Sequence, residues 1–118
     1  REISWKKFPN KRQTYPTVSL SSNHVAAIRT DGKVQALGQN DQGQCATSYW
    51  KNIVAVSCGE AHTAGLKADG TVVACGSNNQ NQCEVSQWKN ITSILAGRTY
   101  TLGLKEDGRV VASGWFGY

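Results

Sequence analysis

Apolar positions along the chain fall in short runs that alternate with polar residues, and no stretch carries the 3.6-residue apolar period of an amphipathic helix. The clearest unit runs from Ile53 to Asn90. Ile53-Val54-Ala55-Val56-Ser57 is a β-rich run ended by Cys58-Gly59-Glu60, and His62-Thr63-Ala64-Gly65-Leu66-Lys67 is a second. Ala68-Asp69-Gly70 between the second and third runs predicts a hairpin turn, because glycine accepts the positive φ of a tight reversal and aspartate bonds its own backbone there. Thr71-Val72-Val73-Ala74-Cys75 is the third run, and Gly76 to Gln82 is loop. The pattern predicts three strands followed by a polar connection that leads through Trp88 into the next unit.

This unit recurs. Asp31-Gly32, Asp69-Gly70 and Asp107-Gly108 are spaced 38 residues apart, and a fixed period of that length marks a repeat architecture. Val34, Val72 and Val110 keep the step, as do Ala36, Ala74 and Ala112, and Gly38, Gly76 and Gly114. Trp50-Lys51-Asn52 returns as Trp88-Lys89-Asn90, Cys45 returns as Cys83, and His24 and His62 are continued by Tyr100. The chain divides into a basic arm with a partial repeat end (1–14), repeat 1 (15–52), repeat 2 (53–90) and an incomplete repeat 3 (91–118). Together these form one domain. A three-stranded sheet of this size cannot bury both faces alone, so the units must stack. Ala26-Ala27, Ala64-Gly65 and Leu102-Gly103 put small residues on the second strands, which suits close approach near the centre of a radial array. The expected fold is all-β, with antiparallel three-stranded propeller blades of about 38 residues, about three of them present.

Length and charge narrow the picture. At 118 residues, 39% hydrophobic and 18% charged, the chain has room for one modest core. No apolar run approaches the roughly 20 residues of a membrane-spanning helix, so membrane insertion is not expected. The sequence opens Arg1-Glu2-Ile3-Ser4-Trp5 without an initiator methionine and reads as an excised or processed piece, so its compartment cannot be assigned from targeting signals. Much of the net charge of +5 comes from the first twelve residues, where Arg1, Lys6, Lys7, Lys11 and Arg12 face only Glu2. A nucleic-acid surface would spread basic residues over a folded face. One short arm reads instead as a solvated terminus, and nucleic acid is not the expected partner.

Candidate chemistry is sparse. Cys45, Cys58, Cys75 and Cys83 include no C-x-x-C pair, so no zinc ribbon or redox motif is indicated. Cys45 and Cys83 stand at equivalent places on successive units, too far apart for a disulfide, while a Cys58–Cys75 bridge would need adjacent strands in register. Buried free thiols are the favoured reading, which is a weak pointer to a reducing compartment. His24 and His62 read as structural hydrogen-bonding groups at the start of the second strand, because a metal or catalytic role would need convergent ligands. Asp31, Asp69 and Asp107 with Gly32, Gly70 and Gly108 are turn residues, and Trp50 and Trp88 pack between units. No nucleophile with its base, carboxylate pair or phosphate-cradling loop is present, so no enzyme, cofactor or metal is expected. Trp115, Phe116 and Tyr118 fall where the second unit has polar Ser77, Asn78 and Gln80, which makes them candidate protein-contact residues. They compete with the bland reading that they pack at an end. Tyr49, which does not recur, is a weaker candidate.

The segment His62 to Asn78, HTAGLKADGTVVACGSN, resembles the repeats of the regulator of chromosome condensation family, in the short bacterial form seen in propeller-type β-lactamase inhibitors. The likeness spans roughly Tyr15 to Gly114. It implies a propeller built of three-stranded blades in a family that forms seven-bladed rings and acts by binding proteins, through nucleotide exchange on a small GTPase or inhibition of β-lactamases. Neither activity transfers, since both reside outside the repeat pattern. Three blades do not close a ring, and Trp5-Lys6-Lys7-Phe8 looks like Trp50-Lys51-Asn52-Ile53. The chain is therefore either a fragment of a longer propeller, the favoured expectation, or a unit whose copies join head to tail as a homo-oligomer. The functional expectation is a non-enzymatic protein-interaction scaffold with an unidentified protein partner. The alternative is a structural spacer or self-assembly module within a larger bacterial surface or effector protein.

Overall fold

The computed structural model describes residues 18–115. Nine strands run in chain order: β1 (Val18–Leu20), β2 (His24–Ile28), β3 (Val34–Gly38), β4 (Ile53–Cys58), β5 (His62–Lys67), β6 (Val72–Gly76), β7 (Ile91–Ala96), β8 (Tyr100–Lys105) and β9 (Val110–Gly114). They form three antiparallel sheets in the orders β1-β2-β3, β4-β5-β6 and β7-β8-β9, here called blades 1, 2 and 3. The fold is thus the expected all-β stack of three-stranded blades. The resemblance of Trp5-Lys6-Lys7-Phe8 to Trp50-Lys51-Asn52-Ile53, like the basic arm, lies outside the described residues.

The Asp-Gly turns set the hairpins. In each, the glycine N–H donates to the carbonyl three residues back (Arg29, Lys67 or Lys105), and the aspartate Oδ1 accepts from the backbone N–H two residues on, at 3.0 Å. Gly32, Gly70 and Gly108 sit at φ 82°, 87° and 91°, where a Cβ would be strained. This chemistry explains why β6 begins one residue later than the apolar run suggests. The backbone N–H and hydroxyl of Thr71 are both taken by Asp69, so the ladder starts at Val72 paired with Leu66.

Blades meet face to face through the second strand of one and the first strand of the next. Ala26, Ile28 and Val34 of blade 1 pack on Cys58 and Cys75 of blade 2, and Leu66 and Val72 of blade 2 pack on Ile91 of blade 3. The small residues expected near the centre, Ala26 and Ala64, have no solvent exposure. The first two turns also stitch the stack: Gly32 O accepts from Ile53 N and Gly70 O from Ile91 N, both at 2.9 Å.

The interblade tryptophans explain two further glycines. The Trp50 ring lies on Gly65 and the Trp88 ring on Gly103, so a Cβ on Gly65 would stand 2.8 Å from Trp50 Cζ3. Blade 1 has Ala27 at the corresponding place. Gly65→Ala is therefore expected to destabilise the chain by about 1–3 kcal/mol through overpacking. A chemical-denaturation double-mutant cycle should show this cost vanish in a Trp50→Ala background, where the ring is gone.

Candidate functional site

The strands deliver loops to two opposite rims. One rim carries the Asp-Gly turns with Asn52 and Asn90, whose carbonyls accept from Ala68 N and Glu106 N. The other carries the turns at Ser21–Asn23, Glu60–Ala61 and Arg98–Thr99, with loops 39–45 and 77–83 beside them. There Gln39 N donates to Asn23 O, Ser77 N to Ala61 O and Trp115 N to Thr99 O. Charge separates between the rims. The turn rim has Arg29, Lys33, Lys51, Lys67, Lys89, Lys105 and Arg109 against Asp31, Asp69, Glu106 and Asp107, while the loop rim has Asp41, Glu60 and Glu84 against Arg98.

The loop rim is built on polar groups buried at the blade joints. Thr63 Oγ1 donates its single proton to Gln44 O at 2.7 Å, so His24 Nε2, 2.7 Å from the same hydroxyl, is the protonated ring nitrogen and donates to it. The next joint repeats the chain: His62 Nε2 to Thr101 Oγ1 at 2.9 Å, and Thr101 Oγ1 to Gln82 O at 2.7 Å. Gln44 and Gln82 then fold back, each Oε1 accepting from a backbone N–H two residues earlier, Gln42 or Gln80. Asn40 and Asn78 cap the same loops by accepting from Cys45 N and Cys83 N at 2.8 Å. Both loops are thereby held in one shape.

The four thiols are free. Cys45 and Cys83 bond their own loop backbones, and Cys58 and Cys75 donate to the carbonyls of Ser19 and Gln44 in the neighbouring blade, at 3.4 Å each. Burial pushes the Cys75 thiol up to about 12 and that of Cys83 up to about 11, so neither is a nucleophile at neutral pH. No group of three histidine, cysteine or acidic side chains that could hold a metal is found among the described residues.

The aromatic candidates do not converge. Trp115 stands on the loop rim with its backbone clamped from both sides, its N–H donating to Thr99 O at 3.0 Å and its carbonyl accepting from Thr99 Oγ1 at 2.6 Å. The residue remains 50% exposed. Tyr49 is 71% exposed but lies toward the other rim, between Thr47, which bonds Val34 O at the turn end of β3, and Trp50 in the joint. Phe116 and Tyr118 lie outside the described residues. On the loop rim Trp115 has polar company that the sequence did not single out. Asn23 Nδ2 donates to Glu60 O at 2.8 Å, and Arg98 reaches Glu60 Oε1 at 3.3 Å, linking the turns of all three blades.

Residues 53–82 match the family model described as the regulator of chromosome condensation (RCC1) repeat. No curated protein matches the chain. Among solved structures the chain is similar to Prp20p from Saccharomyces cerevisiae, with a TM-score of 0.69 and 23% identity over 83% of this chain and 30% of that one. The yeast RCC1 (Prp20) bound to Kap60 gives 0.70 and 22% over 83% and 29%. The CRINKLY WD40 ectodomain of the Arabidopsis thaliana receptor kinase ACR4 gives 0.71 and 19% over 86% and 37%. The chain spans about a third of the length of these structures. Its three blades share the fold of these propeller structures, and residues 53–82 carry the repeat pattern.

Burial holds the His62 imidazole down to about 4, helped by nearby His24 and opposed by the backbone of Tyr100. His62 has no solvent exposure, and its Nδ1 has no hydrogen-bond partner. Because the folded value lies below the unfolded 6.5, the unfolded chain binds the extra proton between these values. The stabilisation is full above pH 6.5 and is lost as pH falls toward 4. At pH 5 this amounts to about 2 kcal/mol. Urea midpoints at pH 7 and pH 5 should differ accordingly, and His62→Gln, which keeps a donor toward Thr101, should flatten most of that difference.

Proposed function

We propose that this chain is a non-enzymatic protein-interaction scaffold whose loop rim forms the contact surface. The observation that carries the reading is Trp115, a half-exposed indole on a backbone clamped by Thr99, beside loops locked by their own hydrogen bonds. A large aromatic side chain on a fixed backbone loses little freedom on binding, which is what interface anchors require. Phe116 and Tyr118 follow it in sequence and extend the candidate anchor. RCC1-type propellers support the reading as a class: Prp20p is described with its binding to Gsp1p and histones, and the yeast RCC1 with Kap60. The acidic excess of the loop rim favours a partner with a basic patch, which would also speed encounter at low salt.

The test is site-specific photocrosslinking. A benzophenone amino acid at position 115 should trap a defined protein from the source cell, whereas the same probe at position 49, toward the other rim, should not. Trp115→Ala in the purified pair should weaken binding by more than about thirtyfold, the loss of a typical aromatic anchor. Equal trapping at both positions, or unchanged affinity without the indole, would sink the assignment. A second reading, as a self-assembly module, is favoured by the apolar outer faces of blades 1 and 3.

A further inference from the structure

Apart from Tyr49 and Trp115, every exposed large hydrophobic side chain among the described residues lies on one of the two outer faces of the stack. In blade 2, Val56, Cys58, Val73 and Cys75 face blade 1, and Ser57, His62, Leu66 and Val72 face blade 3. Stepping by 38 residues puts Val18, Leu20 and Leu37 on the outer face of blade 1. Leu95, Leu104 and Val110 fall on the outer face of blade 3. They are between 42% and 73% exposed. A shallow apolar depression on blade 3 is lined by Leu95, Leu102, Leu104 and Val110 among others.

These outer faces differ from the interior ones at matched positions. At both interior joints a residue meets the one 39 places later. Ser19 Oγ accepts from Cys58 N and Ser57 Oγ from Ala96 N, while His24 meets Thr63 and His62 meets Thr101. The same rule, applied between the outer face of blade 3 and that of blade 1, sets Leu95 opposite Leu20 and Tyr100 opposite Val25. Serine has become leucine where cysteine or alanine has also become leucine. Histidine has become tyrosine where threonine has become valine. Changing one side of the histidine–threonine pair would bury a polar group without its partner. Here valine leaves no hydroxyl opposite the tyrosine, and the two leucines add methyl groups to the joint from each side.

We propose that the outer face of blade 3 docks on the outer face of blade 1 of a second copy of this chain, head to tail, with Leu95 against Leu20 and Tyr100 against Val25. The joint is heterologous, so it propagates until geometry closes it or a blocked face ends it. It uses blade faces and leaves the loop rim free, so it stands apart from the proposed partner contact.

Light scattering of the 118-residue chain over a concentration series is expected to give masses rising in whole multiples of the monomer. Leu95→Glu and Leu20→Glu should each weaken association more than about tenfold, as expected for a central apolar contact. Mixed in equal amounts, these two variants retain one intact face each and should pair into dimers and stop there. Should either glutamate variant fail to fold, the chain carrying both Leu20→Cys and Leu95→Cys should give an oxidised ladder of crosslinked copies that neither single change gives. The inference is overturned by a monomer at every concentration, including one whose outer faces are covered by residues 1–17. It is equally overturned by folded glutamate variants that assemble normally, or by a mixture that stays monomeric. Trp115→Ala should leave all these masses unchanged, which keeps failure here distinct from failure of the rim assignment.

Discussion

A three-stranded sheet has two faces and can cover neither of them by itself, and the structure is organised around that constraint. Blade 2 is satisfied because blade 1 and blade 3 lie on either side of it. At each joint the apolar contact is broad and tolerant, but the buried threonine hydroxyl is not. With one proton committed to a glutamine carbonyl, it can only accept from the histidine of the preceding blade. That requirement fixes the histidine tautomer, places the glutamine loop and gives the stack a direction. Leaving any member of the chain unpaired would cost more than the bond contributes when made.

The same buried chain connects the fold to the candidate site. Gln44 and Gln82 are nearly without exposure although they sit in loops of polar composition, and they hold those loops to the blade joints. The rim is therefore rigid for the reason that the core is rigid. Trp115 inherits this through Thr99, which adjoins Tyr100 and Thr101 at the start of β8. A single mechanical unit runs from the blade joint to the exposed indole.

Much of this was readable before any coordinates. Asp31-Gly32 and its two copies announce hairpins because their backbone chemistry is local, and the 38-residue step announces stacking because it is periodic. Trp50 and Trp88 read as interblade residues from recurrence alone. What escaped depends on partners distant in sequence. Thr63 and Thr101 look like ordinary strand residues, Ser57 like the end of an apolar run, and Gln44 and Gln82 like exposed loop. Each acquires its role only when a neighbouring blade brings a histidine, an N–H or a hydroxyl to it. Trp115 read as the stronger and Tyr49 as the weaker aromatic candidate, and nothing in the sequence showed that they stand apart. They face different rims because Thr47 anchors one segment at the turn end of β3 and Thr99 anchors the other at the opposite end.

The Asp-Gly turns have a bearing on the chemical ageing of the chain. Among aspartyl sequences Asp-Gly is the most prone to cyclise to a succinimide and reopen as isoaspartate, a reaction in which the glycine nitrogen attacks the side-chain carboxyl carbon and water leaves. In all three turns that nitrogen is engaged, donating its hydrogen to Arg29, Lys67 or Lys105, while the carboxylate is drawn away toward the nitrogen of the following residue. The turn that starts each hairpin thus also shields its own backbone, and isoaspartate formation becomes a record of how long the chain has spent unfolded.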